Sequence, residues 1–207
     1  MDELDRAKQR SFQYWYMDGL NEIGFGCLML LLGLYFYLEG ALSQTSTLRV
    51  ILDSSLILVI LGGAWLINRG IKYFKEKITY PRTGYVAYAQ KRRPPRWLAA
   101  IIAGLAGAFF AAIIIQGNLL KWLPALTGIV LCLVMVFMAA RANLLRFYLL
   151  AAVALIIGVV ITLSNFEQSV GLSSVYALFG LSLLISGIRS LVLYLRSFPS
   201  AEESLND

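Results

Sequence analysis

Histidine is absent from all 207 residues of the chain. That excludes Ser-His and Cys-His nucleophile pairs, HExxH zinc sites and histidine-ligated haem. Cysteine is nearly as scarce. Cys27 and Cys132 both fall inside apolar runs, where a thiol acts as a small packing residue, and two donors are too few for a four-ligand metal site. Neither a GxGxxG nor a GxxxxGKS/T phosphate loop is present. Charge is also short: 14% of residues are charged, against about 25% in a soluble domain whose surface must be wetted. No charged residue falls at the middle of any apolar run, where pumps and ion-coupled carriers place theirs. No catalytic residue, cofactor or metal ligand is therefore assigned, and the chain reads as non-enzymatic.

What fills the space is apolar: 59% of the chain. A bilayer core about 30 Å thick needs about 20 mostly apolar residues per helix. Six runs have that length, at 21–38, 50–67, 97–115, 123–140, 147–163 and 172–195. The last exceeds the bilayer and should emerge toward Arg196. The expected fold is an all-α membrane protein of six transmembrane helices. Its parts are an N-terminal interfacial segment (1–18), a six-span membrane domain (19–196) and a polar C-terminal tail (197–207).

Orientation follows from Lys and Arg. With both termini inside, 16 of the 18 basic residues are cytoplasmic and only Arg49 and Lys121 are outside. An odd number of spans would destroy that asymmetry. The first twenty residues hold no apolar core followed by a cleavage site, so the first span should act as an uncleaved anchor. The deepest acid, Asp53, lies one turn after Arg49 and is expected to pair with it. Glu39 and Glu167 are expected in outer loops.

The cytoplasmic loop 69–96 carries nine basic residues against Glu76 alone. Its segments 77–80 and 85–88 have strand-type residues, and Pro81-Arg82-Thr83-Gly84 between them has turn chemistry. A short β-hairpin or folded loop on the inner membrane face is expected, with Tyr80 and Tyr85 in the headgroup zone and anionic lipid held by the basic residues. Topology already explains the positive charge, so no nucleic acid is called for. Before it, Asp18 should cap the first span, with Glu22 one turn deeper on the same face. The turn could present Arg82 to these two acids, making Asp18, Glu22, Arg82, Tyr80 and Tyr85 a candidate interaction cluster.

In the third run, Ala100, Gly104, Ala108 and Ala112 repeat every four residues, the pattern that lets membrane helices approach closely. Packing within the bundle and a homo-oligomer seam are the two readings. The ends of the second and sixth runs also match: Gly62-x-x-x-Leu66-Ile67 with Gly70, and Gly180-x-x-x-Leu184-Ile185 with Gly187. A duplicated helical hairpin would produce this.

The string 178–189 resembles the hairpin repeat of HdeD-type bacterial membrane proteins. Tyr14-Trp15-x-x-Asp18-Gly19-Leu20-x-Glu22-Ile23-x-x-Gly26 and Thr79-Tyr80-Pro81-Arg82-Thr83-Gly84-Tyr85-Val86 are similar to motifs of a bacterial multi-pass family without an assigned function. The resemblance implies a bacterial cell membrane location and carries over no catalytic residue. The leading expectation is a structural, regulatory or lipid-contacting protein. A channel or carrier for an uncharged or lipid-like solute is the alternative. A membrane enzyme acting on lipid headgroups comes third.

Overall fold

The computed structural model describes residues 16–43, 47–79, 121–142 and 144–197. Among these residues the regular structure is entirely helical. Five helices are long and apolar enough to cross a membrane. They are α1 (Leu20–Ala41), α2 (Thr47–Phe74), α3 (Leu123–Ala142), α4 (Leu145–Leu163) and α5 (Gln168–Ser197), and a π-helical turn (Lys75–Thr79) prolongs α2. The expected 97–115 span, with Ala100, Gly104, Ala108 and Ala112, lies outside the described residues. So do residues 1–15 and the loop from Tyr80 through Arg82 and Tyr85 to Arg96.

Two expectations need correction at helix ends. Residues 77–79 are not a strand; they complete the π-helical turn. Strand preference is a weak local bias, and continuing the helix keeps backbone groups paired where water is scarce. Glu39 is not in a loop either, because α1 runs on to Ala41.

The tightest packing joins α1 to α5. Glycine recurs on α1 every seven residues, at Gly19, Gly26, Gly33 and Gly40. On α5 the small residues Ser173, Gly180 and Gly187 keep the same spacing. The two rows face one another in opposite directions. A Cβ on Gly26 would stand 2.9 Å from the Gly180 carbonyl oxygen, and one on Gly187 would stand 2.9 Å from that of Gly19. Such contact needs glycine, and it places backbone against backbone, where Ser173 donates a 2.8 Å hydrogen bond to the Gly33 carbonyl. A strict seven-residue row holds its face toward a partner only if the helices coil gently around each other.

Helices α3 and α4 form a hairpin on a second close approach, Gly128 against Gly158. They share a core with α5, in which Ala139, Ala154, Val175 and Phe179 are fully enclosed. Helix α2 is attached on the other side of α1, through Ile67 and Ile71 against Gly24 and through the Tyr35 hydroxyl, which donates to the Leu52 carbonyl at 2.8 Å. Among the described residues, none of α2 is buried except at its π-helical end.

These contacts fix directions. Helix α1 is antiparallel to α2 and α5, α5 is antiparallel to α4, and α4 is antiparallel to α3. Helices α2, α3 and α5 therefore run the same way. The chain leaves α2 at one end of the bundle and enters α3 at the other.

Candidate functional site: an ion-paired layer at one end of the bundle

The polar site forms where α1 begins. Gly19 takes a left-handed conformation (φ 71°) that turns the preceding segment sharply into the helix. Asp18 Oδ1 accepts a 3.2 Å hydrogen bond from the Leu20 amide, meeting one of the unpaired donors at the helix start. Asp18 and Glu22 are then one turn apart, 1% and 3% exposed. A carboxylate so enclosed needs a cation.

Each has one. Lys75 Nζ lies 3.1 Å from Asp18 Oδ2 and is itself 2% exposed, so the pair ties the π-helical end of α2 to the start of α1. On the other side, Arg146 Nε meets Glu22 Oε1 at 2.9 Å, slightly off the hydrogen-bonding axis. Its two terminal nitrogens donate to the Ser190 hydroxyl and the Tyr16 carbonyl. Glu22 Oε2 accepts from the Ser186 hydroxyl at 2.8 Å. The Arg146 guanidinium also lies 5.4 Å from the centre of the Phe147 ring, which Tyr16 meets edge-on. Burial pushes the Tyr16 hydroxyl above its ordinary pKa, with Arg141 pulling the other way.

Among the described residues, two ion pairs thus form a layer that joins α1, α2, α4 and α5. Both acids are ion-paired, and neither is left as a free base or nucleophile. Asp18 and Glu22 do come together, as their spacing implies. Their cations are Lys75 and Arg146, which sequence reasoning did not select; Arg82, Tyr80 and Tyr85 lie outside the described residues. At the opposite end Arg49 does not turn to Asp53. It lies 3.8 Å from Glu39 and donates to the Leu42 carbonyl, because the longer α1 brings Glu39 within reach.

No protein-family model, curated protein or solved structure matches the chain. The site must be read from its own geometry.

Two surfaces bear on that reading. An apolar cleft of about 320 Å³ opens between α1, α2 and α5, lined by Gly24, Cys27, Ile67, Gly70, Ile71 and Leu191 among others. On the opposite face of α2, Trp65, Asn68, Arg69, Lys72, Tyr73 and Glu76 border a polar groove of about 440 Å³, in which the Arg69 guanidinium lies 5.5 Å from the Trp65 ring centre. The polar residues that could line a pore do not converge. Ser54, Ser55 and Thr127 each donate to a carbonyl of their own helix, and Asn68 belongs to the outer groove.

Proposed function

We propose that this is a six-span protein of a bacterial cell membrane, with both termini in the cytoplasm and a structural or regulatory, non-enzymatic role that includes holding anionic lipid at its inner face. The two buried ion pairs, Asp18 with Lys75 and Glu22 with Arg146, carry this reading. Charges that pair with one another can mark an ion path when they lie at mid-depth, but these pairs sit at the helix ends of the bundle. These four are engaged with one another and with Ser186, Ser190 and Tyr16. Such a layer suits a clamp holding helix ends together.

Two observations support the topology. The return of the chain from the end of α2 to the start of α3 calls for one more crossing, and 97–115 is long and apolar enough to make it. Among the described residues, Arg69, Lys72, Lys75, Lys77, Arg141, Arg146, Arg189 and Arg196 gather at the ion-paired end, with Arg49 and Lys121 at the other. That asymmetry supports a cytoplasmic placement for the ion-paired end. Arg69 and Lys72, beside Trp65 and Tyr73, suit an anionic headgroup at the interface, each basic residue contributing about 1 kcal/mol.

The apolar cleft favours a second reading, a carrier for an uncharged or lipid-like solute. One experiment separates the two. Protein extracted in native lipid is analysed by mass spectrometry for retained lipid, and the same protein in vesicles is assayed for lipid scrambling and for uncharged-solute flux. Retained anionic lipid that falls when Arg69 and Lys72 become Gln, without flux, supports the clamp. Flux abolished by filling the cleft with Cys27→Phe supports the carrier.

A further inference from the structure

The geometry points to a docking seam on α2, the row Gly62, Leu66 and Gly70, whose occupant is residues 97–115 of the same chain; this rests on the six-span reading above. Gly62, Leu66 and Gly70 follow one another at four-residue steps, so they lie on a single stripe of the helix. A Cβ placed on Gly62 or Gly70 meets nothing within 4 Å among the described residues, and Leu66 is 62% exposed. Gly70 also lines the apolar cleft, so the stripe continues into a concavity.

The same molecule illustrates what such a stripe does. The corresponding run on α5, Gly180, Leu184 and Gly187, is the surface on which α1 sits, with Gly180 close enough that a Cβ would stand 3.0 Å from the Gly26 carbonyl oxygen and the Leu30 amide nitrogen. Helix α2 carries a similar run, its second glycine one residue further on, and among the described residues nothing lies within 4 Å of a Cβ placed on either glycine. In a bilayer no hydrophobic drive brings helices together, so close approach over small residues supplies the attraction.

The identity of the occupant follows from where the chain goes. Residues 80–122 start at the ion-paired end of α2 and must reach the far end of the bundle, where α3 starts. The apolar run 97–115 is the part long enough for that crossing, and it would pass antiparallel to α2. It carries Ala100, Gly104, Ala108 and Ala112 at four-residue steps. Leu66, a large side chain between two glycines, complements a row of small residues.

The test uses the full-length protein in membranes, with Cys27 and Cys132 replaced by Ala. Leu66→Cys is combined in turn with Ala100→Cys, Gly104→Cys and Ala108→Cys, and the membranes are treated with a short thiol cross-linker. Cross-linking within one chain, strongest at one of these positions, is expected. In parallel, Gly62→Leu should lower the folded yield after detergent extraction by roughly threefold or more, since bulk would hold the two backbones apart, whereas Leu58→Ala (a 72% exposed position) should leave it unchanged. A cross-link between two chains would assign the seam to a second copy and overturn the proposal. So would absence of any cross-link together with a neutral Gly62→Leu, which would leave the stripe facing lipid. Labelling of a cysteine at Ala89 from outside the cell would remove the six-span reading itself. An inside Ala89 without the cross-link would remove only the docking.

Discussion

Removing one partner from a buried ion pair leaves the other charge stranded, which costs about 3–5 kcal/mol, whereas replacing both by apolar groups is often nearly neutral. Lys75 and Asp18, at 2% and 1% exposure, meet the condition for this contrast. Lys75→Met should therefore lower the thermal midpoint of the detergent-solubilised protein markedly, and adding Asp18→Leu should restore part of it, short of the full value because the Asp18 cap on the Leu20 amide is lost as well. If Lys75→Met alone leaves the midpoint in place, the pair does not hold the layer together. Arg146 should be less tolerant still. Arg146→Lys keeps the charge but loses the planar fork that reaches Glu22, Ser190 and the Tyr16 carbonyl together. It should destabilise more than Arg141→Lys, measured by the same melt. The presence of acids near the first span was plain from their spacing. Their partners were not: Lys75 and Arg146 stand far along the chain among many other basic residues, and only the arrangement of helices selects them.

Helices were the most readable elements, because a run of about 20 apolar residues has few alternatives to a spanning helix. Their ends were less so. Lys77 to Thr79 have strand-type neighbours, yet the π-helical turn carries them on, and Glu39 belongs to α1 because nothing before Ala41 breaks it. The seven-residue glycine row of α1 was visible all along but was masked by the high frequency of glycine in apolar helices; only its match to Ser173, Gly180 and Gly187 gives it meaning. The row makes a direct prediction. Gly26→Leu should separate α1 from α5 and reduce folded yield severely, because even a Cβ there stands 2.9 Å from a carbonyl oxygen. The adjacent Phe25→Ala should be tolerated, since Phe25 is 47% exposed. Folded yield by size-exclusion chromatography compares the two, and equal tolerance would mean that α1 does not sit on that seam.

For the whole molecule, the decisive property is parity: α2 and α3 run the same way, although only one connection lies between them. Cysteines introduced at Ser43 and Gln168 should react with an impermeant thiol reagent in intact cells, and one at Ala89 should not. Reaction at all three would require a different path for the chain. The ion-paired layer has a consequence in time. Arg146 lies 130 residues after Tyr16, whose carbonyl it binds. At about 5–20 residues per second, synthesis takes roughly 7–26 s to bridge that gap. Asp18 can meet Lys75 once the first hairpin is made, whereas Glu22 meets Arg146 only after the second half of the chain has emerged. The layer is therefore completed in two stages, the first hairpin closing one pair and the α4–α5 half the other.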